Sequence, residues 1–289
     1  MRKVLAVSGG IDSVVMLHLF HDDSDAIVAH FNHNIRDNSA EDCDFVARLA
    51  QRYHRHFISE NANLRANASE AEARQARYDF LNRVCTEHNG KLYVAHHKDD
   101  IYETIAINII RGTGWRGLAP LRNPNIVRPL LNWSKKDIYL YATKNKLAFR
   151  QDQTNTEDTY LRNRVRERLR FLTNEQKAKL DHLYQRQCEL SININRIISD
   201  LTSKNEKHIS RELFQGLDDR VATELLRELL YKNSISQTRP QMRRAIDAIR
   251  TYRAGKQFPL GKNAYIEVAK YHFSIKKRDI QPVKTCLFM

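Results

Sequence analysis

The sequence contains few cysteines, and none of them lies close to another. Four are spread along 289 residues without any C-x-x-C pair: Cys43, Cys85, Cys188 and Cys286. Disulfide frameworks and structural zinc sites are built from closely or regularly spaced cysteines. The sequence therefore argues against both, and each cysteine is expected to be a small buried apolar residue or an unreactive thiol.

Long apolar runs are also absent. Met1, Arg2 and Lys3 lead directly into a short apolar stretch, which is not the pattern of a signal peptide. No run approaches the roughly 18 to 20 residues that a transmembrane helix needs. These absences predict a soluble, cytoplasmic protein that does not enter a membrane.

A Walker A loop is missing as well. The motif G-x-x-x-x-G-K-[ST] does not occur, because the three Gly-Lys pairs are followed by Leu92, Gln257 and Asn263. A formal G-x-G-x-x-G lies at residues 112–117, but it follows a helical pattern rather than a strand, so a dinucleotide site is not predicted there. We interpret this segment as a flexible loop near the site.

Positive charge is abundant and unevenly distributed. Lysine and arginine number 48 against 34 acidic residues, which gives a net charge of +14. Residues 239–278 hold 11 basic residues against two acidic ones, and arginine occupies every other position from Arg162 to Arg170. Such clusters raise the local concentration of polyanions. The distribution favours a nucleic-acid partner, although a generally basic proteome is the simpler explanation of the total charge.

Strand and helix patterns alternate over the first two-thirds of the chain. Apolar runs of the buried-strand type lie at residues 3–7, 26–31, 92–95 and 126–131. Helical spacing follows them, with capping pairs at Ser39 and Asp42, Ser69 and Glu72, and Ser134 and Asp137. The alternation predicts an α/β fold, in which a parallel sheet carries helices on both faces.

A different pattern begins beyond Asn155. Residues 173–203 are predicted to form one long helix that leads into a second domain. In that domain, residues 211–231 and 239–252 have helical patterns, and residues 258–276 have the pattern of a β-hairpin. We therefore expect domains at 1–204 and 205–289, the second smaller, basic and mainly helical.

The turn after the first strand is the strongest functional signal. Gly9 and Gly10 allow the backbone to approach a phosphate, and the following helix directs its amides and its positive dipole end at that anion. Ser8 and Ser13 add hydroxyl groups. Asp12 would repel a phosphate unless a cation lies between them, so it predicts Mg²⁺ or a helix-capping role. An ordinary Gly-Gly turn is the alternative.

Further candidates lie at the predicted carboxyl ends of other strands, where ligands bind in such sheets. Asp99 and Asp100 follow the third predicted strand, where paired carboxylates suit magnesium or a base, with helix capping as the alternative. Other polar residues in these places are His30, Asn32, His33, His96, His97 and Glu103. Arg74 and Arg77 share one helix face and suit phosphate or RNA, as do Arg111 and Gly112. A solvated basic face is the alternative for each pair.

The motif Ser-Gly-Gly-x-Asp-Ser after a first strand resembles the signature of the PP-loop ATP pyrophosphatases. No glutaminase domain accompanies it, and no cysteine pair of the kind used by tRNA thiolases lies near a motif. The other blocks resemble tRNA(Ile)-lysidine synthases: they begin at His30, Glu70, Ala95, Arg111, Arg128, Asp152 and Arg162. The resemblance covers residues 1–170 and departs at Tyr102 and Thr154, where the family commonly has Gln and Ser.

The resemblance implies a Rossmann-like fold and a ligase that forms a carbon–nitrogen bond. ATP would adenylate the C2 carbonyl oxygen of the wobble cytidine in a tRNA(Ile) with a CAU anticodon, and pyrophosphate would leave. The ε-amino group of L-lysine would then attack C2 and release AMP, which leaves lysidine and changes the codon read from AUG to AUA. The family is often dimeric, so a homodimer is an expectation.

The resemblance and the residue patterns together give three groups of site residues. Catalysis and Mg²⁺ are expected at Asp12, Asp99 and Asp100. ATP is expected to contact Ser8, Gly9, Gly10, Ile11, Asp12, Ser13, His30, Asn32, His96, Arg111 and Gly112. The tRNA or lysine is expected to contact Arg74, Arg77, His97, Glu103, Arg162, Asn163 and Arg166.

Two other functions fit the same motifs. One alternative is another PP-loop tRNA-modifying enzyme, such as a 2-thiocytidine synthase, which would consume a sulfur donor in place of lysine. A tRNA-binding protein that keeps the nucleotide pocket but has lost catalysis would release no pyrophosphate. The presence of Asp12, Asp99 and Asp100 argues against the inactive protein.

Overall fold

The computed structural model divides the chain into two units, Met1–Gln187 and Cys188–Met289. The described residues are 1–32, 39–62, 70–150, 160–203, 208–235, 237–261 and 264–277. The division falls within a long helix, whereas the sequence places the domain boundary after that helix, at residue 204. That boundary stays a prediction. Within the described residues, no helix is both long and apolar enough to cross a membrane.

A parallel sheet of five strands organises the amino-terminal unit, with the strand order β3-β2-β1-β4-β5. The strands are β1 (Arg2–Ala6), β2 (Ala26–Asn32), β3 (His56–Asn61), β4 (Gly90–Tyr93) and β5 (Ile126–Val127). The helices are α1 (Ile11–Leu19), α2 (Ser39–Arg52), α3 (Glu70–Glu87), α4 (Lys98–Ile110), α5 (Lys135–Lys144) and α6 (Tyr160–Leu169). The predicted α/β class is confirmed.

Alternate residues of the central strands feed two apolar cores. Leu5 of β1 and Val28 of β2 pack with α1, α2 and α5, whereas Val4 and Ala29 pack with α3. Successive side chains of a strand point to opposite faces, so a strand that is buried on both faces needs an unbroken apolar run. The seven residues of β2 are accordingly all buried.

The sheet reverses its strand order between β1 and β4. From β1 the chain adds β2 and β3 on one side, and it then crosses to β4 and β5 on the other. A crevice forms at the carboxyl ends of two strands where the order reverses, and ligands bind there in open α/β sheets. The Gly-Gly turn follows β1, and the His96–Asp100 block follows β4, so both border this crevice.

The carboxy-terminal unit contains helices and an antiparallel sheet with the order β6-β9-β8-β7. After α7 (Asn174–Ser203), its elements are β6 (Ile209–Ser210), α8 (Arg211–Gly216), α9 (Asp219–Lys232), α10 (Arg239–Thr251), β7 (Gln257–Pro259), β8 (Ala264–Val268) and β9 (His272–Lys277). Apolar residues of α9 and α10 pack on the sheet, with Phe214 and Phe273 fully buried. The long helix and the predicted hairpin are present.

Several predicted elements differ in extent. The single helix expected at 211–231 is two helices, because the chain breaks after Gly216 and Asp218 caps α9 by accepting a hydrogen bond from Arg220 N (2.8 Å). The segment predicted as a hairpin at residues 258–276 contains three strands, β7, β8 and β9, and β6 extends their sheet. Strand β5 ends at Val127, two residues before Pro129, which has no amide hydrogen to donate to a ladder.

Arg211, in the carboxy-terminal unit, is a buried arginine that bonds to main-chain oxygens. Arg211 is 9% exposed at the start of α8. Its guanidinium donates hydrogen bonds to the carbonyls of Ile249 (2.8 Å), Ala269 (2.9 Å), Tyr252 (2.9 Å), Arg250 (3.2 Å) and Lys270 (3.4 Å). These carbonyls lie at the end of α10 and in the turn between β8 and β9, so one side chain ties both segments to α8.

The cysteines that the structure describes form no disulfide bond. Cys43, Cys85 and Cys188 are half-buried free thiols. Burial raises the pKa of Cys85 to about 11, because a low-dielectric surrounding disfavours the thiolate. Since the thiolate is the reactive form, Cys85 has the unreactive character expected from the sequence.

Candidate active site

The turn between β1 and α1 has a backbone suited to binding an anion. Gly9 has a φ angle of +90°, which non-glycine residues rarely adopt, and a Cβ there would lie 3.5 Å from two side chains of α2. Ser13 Oγ accepts a hydrogen bond from Ser8 N (3.1 Å) and donates one to Gly10 O (2.8 Å). Within the described residues, no side chain at Gly10 caps the start of α1. The amide groups of this helix start can therefore donate hydrogen bonds to an anion.

Arg150 connects the turn to α2. Its amide donates a hydrogen bond to Gly9 O (3.0 Å), and its backbone forms a parallel bridge with Gly10. Its guanidinium donates to Glu41 Oε2 (2.5 Å) and Asp42 Oδ1 (2.9 Å), and these carboxylates raise the pKa of Arg150. Arg150 is therefore a positioning residue for the turn. No sequence motif revealed it, because the contact to the turn is made by main-chain atoms.

Three carboxylates surround His97 at the carboxyl end of β4. His97 Nε2 lies 3.9 Å from Asp12 Oδ2 and 3.7 Å from Asp100 Oδ2, and His97 Nδ1 lies 3.7 Å from Asp99 Oδ2. Asp100 Oδ2 also accepts a hydrogen bond from His97 N (2.8 Å) at the start of α4, so it has the capping role considered as an alternative. Burial raises the pKa of the Asp100 carboxyl. The structure thus brings together the three aspartates predicted from two separate motifs.

A lysine that the sequence analysis did not select lies against Asp12. Lys135 Nζ donates hydrogen bonds to both carboxylate oxygens of Asp12, at 2.6 and 2.8 Å, and Lys135 N donates to Asp99 Oδ2 (2.7 Å). Lys135 is the first residue of α5, and the predicted reciprocal cap by Ser134 and Asp137 fixes that helix start. The cation beside Asp12 in this structure is therefore an ammonium group of the chain itself.

Arg166 and Glu103 form a two-bond ion pair that joins α6 to α4. Arg166 Nε donates to Glu103 Oε1 (2.7 Å), and Arg166 Nη2 donates to Glu103 Oε2 (3.1 Å). Glu103 is only 7% exposed at its side chain. The Glu103 carboxylate raises the pKa of Arg166, and the charges of Asp100 and Asp12 add to this effect. The pair therefore lies within electrostatic reach of the aspartates.

The charges of three arginines act on His96. Arg128 Nε donates a hydrogen bond to His96 Nδ1 (3.3 Å), and the guanidinium groups of Arg74 and Arg77 lie 5.1 and 5.5 Å from the ring of Tyr78. Burial, followed by the charges of these three arginines, lowers the pKa of His96 to about 3. The predicted residues His96, Arg74 and Arg77 are thus near one another, and Arg128 joins them.

Other predicted residues have different surroundings. His30 Nδ1 lies 2.8 Å from Val7 O, and burial lowers its pKa. Asn32 is buried at the end of β2. Within the described residues, His30 Nε2 and His97 Nδ1 are buried without a hydrogen-bond partner. Ile11 is buried in the apolar core, so only its main chain faces the turn.

Of the remaining predicted residues, Arg111 and Gly112 lie apart from the aspartates, and several others lie outside the described part of the chain. Arg111 and Gly112 follow the carboxyl end of α4, and the 13 residues of that helix separate them from His97 by about 20 Å. Arg162 and Asn163 are half-buried on α6. The roles of these four residues stay predictions. His33, the cap at Ser69 and the Asp152, Thr154 and Asn155 block lie outside the described residues, as does the side chain of Ser39.

A comparison of the sequence with known families decides the relationship. The sequence model of the PP-loop domain matches residues 1–172, which is more than half of the chain. The chain belongs to the PP-loop family. The PP-loop domain therefore includes the turn at Ser8–Ser13, the aspartate cluster around His97 and the Arg166–Glu103 pair.

Curated relatives share this domain. A "Bifunctional protein TilS/HprT" of Listeria monocytogenes is 37% identical over 226 residues, which are 71% of this chain and 35% of that protein. The tRNA(Ile)-lysidine synthase of Geobacter sulfurreducens is 38% identical over 184 residues, 58% of this chain and 39% of that one. That of Thermotoga maritima is 31% identical over 70% of this chain and 53% of its own. The chain thus spans a third to a half of these relatives, and the predicted relationship is confirmed.

A solved structure confirms the fold alone. The U34-tRNA thiolase NcsA of Methanococcus maripaludis superposes with a TM-score of 0.57 at 20% identity, over 65% of this chain and 72% of that one.

Tyr102 occupies a position where the sequence departs from the lysidine synthase pattern, which commonly has Gln there. The Tyr102 hydroxyl donates a hydrogen bond to Asp181 Oδ1 (2.6 Å) in α7. The departure from the family pattern is therefore accommodated by a bond to the long helix.

The pKa of His96 predicts a pH dependence of stability for the PP-loop domain. The pKa of His96 in the folded protein, about 3, lies below the usual 6.5, so the unfolded chain binds the proton more readily. The contribution of neutral His96 to the free energy of unfolding is therefore complete above pH 6.5. It is lost as the pH falls toward 3, by up to about 1.4 kcal/mol per pH unit. We expect His96→Gln to show a smaller loss of unfolding free energy between pH 6.5 and 4.5 than the unchanged protein, in urea titrations.

The control is His54→Gln, because His54 is an exposed histidine in the turn after α2. Parallel stability curves for His96→Gln and the unchanged protein would contradict the buried, neutral state of His96. An imidazole NMR titration that places the pKa of His96 near 6.5 would do the same.

Proposed function

We propose that this PP-loop protein is a tRNA(Ile)-lysidine synthase, which uses ATP and L-lysine to convert the wobble cytidine of a CAU-anticodon tRNA(Ile) into lysidine. The observation that carries the proposal is the position of three carboxylates around His97, beside the phosphate-binding turn. The names of the relatives from Geobacter sulfurreducens and Thermotoga maritima support the same activity. The chain spans only part of those proteins, so the whole reaction is a proposal for this chain.

The turn at Ser8–Ser13 would hold the phosphates of ATP. Its glycine backbone and the start of α1 supply amide donors and a positive dipole end, and Ser8 and Ser13 supply hydroxyl groups. Arg150 fixes this backbone to α2. The C2 oxygen of the cytidine forms a bond to the α-phosphorus, the α–β phosphoanhydride bond breaks, and pyrophosphate leaves. The turn contributes by orienting the phosphates for this displacement.

The aspartate cluster suits a magnesium ion and an ammonium group. Within the described residues, no three His, Cys, Asp or Glu side chains are arranged to enclose a metal ion. Mg²⁺ fits this setting, because it is usually held by one or two carboxylates together with substrate phosphates. Asp12 and Asp99 would hold it, and the bound ion would supply positive charge to the leaving pyrophosphate.

Asp100 would receive the proton that lysine must lose before it attacks. The attacking ε-amine needs a free electron pair, so its ammonium form has to transfer a proton to a base. Burial raises the pKa of Asp100, which makes its carboxylate a better proton acceptor. The amine then forms a bond to C2, the bond from C2 to the adenylated oxygen breaks, and AMP leaves with that oxygen.

Basic residues of each unit would hold the tRNA. The charges of Arg74, Arg77 and Arg128 act on His96, and basic residues are frequent in the carboxy-terminal unit. Arginine binds phosphate through two parallel hydrogen bonds, and most contacts of a nucleic-acid interface are made to phosphates. A homodimer, expected from the family, stays a prediction.

The test is mass spectrometry of a CAU-anticodon tRNA after incubation with ATP, Mg²⁺ and isotopically labelled lysine. We expect the wobble nucleoside to gain the mass of lysine less one water, with one AMP and one pyrophosphate released per tRNA. Incorporation of sulfur from a sulfur donor would identify a thiolase instead. Binding of tRNA without release of pyrophosphate would identify the inactive homologue.

A further inference from the structure

We propose that Lys135 is a nucleotide-binding residue: its ammonium group and Mg²⁺ compete for Asp12, and the ammonium moves to a phosphate oxygen of ATP when the metal takes that carboxylate. The proposal rests on the proposed function, because it assumes that the turn at Ser8–Ser13 binds Mg²⁺ and ATP. It adds a residue that the motifs did not select.

The geometry sets up the competition. Lys135 Nζ contacts both oxygens of Asp12, at 2.6 and 2.8 Å. A magnesium ion binds carboxylate oxygens at about 2.1 Å and requires near-octahedral surroundings. An ammonium group that uses both oxygens occupies the positions from which such an ion would be bound. Binding of the metal at Asp12 therefore requires the ammonium to leave.

The backbone of Lys135 is fixed, whereas its side chain can move. The Lys135 amide bonds to Asp99 Oδ2 (2.7 Å), and the cap by Ser134 fixes the start of α5. The side chain of Lys135 is 37% exposed and ends four methylene groups from this anchor. The ammonium can therefore change partner without a change in the fold.

The new partner lies close by. Asp12 is the second residue of α1, and its own amide belongs to the helix start that faces the anion. An ammonium group bonded to the Asp12 carboxylate is already beside the place where a phosphate would contact these amides. Lysine binds phosphate as a compact point charge, so the displaced ammonium would gain a phosphate contact in exchange for the carboxylate.

The competing explanation is a static ion pair that only joins α1 to α5. The two explanations differ in what removal of the ammonium does to two ligands. If Lys135 competes with the metal and binds phosphate, Lys135→Met binds divalent metal more tightly and ATP more weakly. A static pair gives at most the first result, because its ammonium group also covers Asp12 but does not contact a phosphate, so the ATP affinity decides between the two explanations.

The experiment measures two affinities on the full chain by titration calorimetry, one for Mn²⁺ alone as a magnesium probe and one for ATP with Mg²⁺. For Lys135→Met we expect tighter binding of Mn²⁺ and an ATP affinity lower by about 10- to 100-fold, the usual effect of a charge-assisted hydrogen bond. Lys136→Met is the matched control, since Lys136 is the exposed next residue of α5, and both affinities should stay unchanged.

Unchanged ATP affinity in Lys135→Met, or weaker Mn²⁺ binding, would overturn the proposal. Lys135→Arg keeps the charge and should retain most of the ATP affinity, so an equal loss in both variants would also overturn it; this variant serves as well if Lys135→Met does not fold. Failure of the proposed function can be distinguished from failure of the proposal for Lys135. If the unchanged protein binds ATP and shows these effects but makes no lysidine, only the proposed reaction is wrong.

Discussion

Replacement of Asp12 by alanine is expected to abolish pyrophosphate release and to leave tRNA binding close to that of the unchanged protein. Asp12 is the one carboxylate that lies both in the phosphate-binding turn and against His97. Without it, the turn loses the group that would hold a cation beside the phosphates. Loss of a group that stabilises transition-state charge typically costs about 10²- to 10³-fold in rate, and we expect at least the upper figure here.

The measurement is pyrophosphate release in the presence of ATP, lysine and tRNA, together with tRNA binding by filter retention. Asp22→Ala is the control, because Asp22 follows α1 with a side chain that is 90% exposed. Alanine is a good helix former, so α1 should persist in both variants, and circular dichroism checks this. Normal turnover by Asp12→Ala would contradict the mechanism.

Replacement of Arg211 by methionine is expected to unfold the carboxy-terminal unit under mild conditions. The methionine keeps much of the apolar stem but leaves five carbonyls without their donor. Each buried polar group left unsatisfied costs about 1 to 3 kcal/mol, so we expect a total loss of at least about 3 kcal/mol. Stabilities of whole domains are about 5 to 15 kcal/mol, so this is a large fraction.

Urea unfolding followed by circular dichroism and by proteolysis of the carboxy-terminal unit measures the effect. Arg220→Met, which removes an exposed arginine of α9, is the control and should change the unfolding free energy by less than about 0.5 kcal/mol. Arg211→Lys should also be destabilising, because an ammonium cannot reach carbonyls in two directions as a planar guanidinium does. An unfolding free energy of Arg211→Met equal to that of the control would contradict this account.

The parts of the fold that could be predicted are those in which local and tertiary signals agree. The buried run of β2 and the reciprocal cap at Ser134 and Asp137 both appear as expected. Strand β3 was missed, because its sequence HFISEN mixes polar and apolar residues and it lies at the edge of the sheet. It forms a strand because it pairs with β2, and this pairing joins residues that are distant in the sequence.

The same distinction applies to the site. The closeness of Asp12, Asp99 and Asp100 could be predicted, because each lies in a motif and the strand order brings the motifs together. Lys135 could not, because the sequence offers two adjacent lysines and only the rotation of α5 decides which of them meets Asp12. Arg128, two residues before a buried leucine, gave no signal that it would bond to His96.

The strand order also has a consequence for synthesis of the chain on the ribosome. Strand β1 and the turn after it precede β4 in the chain, but β4, the neighbour of β1, is separated from β1 by more than eighty residues of sequence, and Lys135 follows later still. Contacts between such distant residues form slowly, since the intervening chain must be ordered to close the loop. A nascent chain that ends before α5 therefore has the glycine turn but lacks its lysine partner, and the Arg150 contact to the turn forms only after α5 has been synthesised.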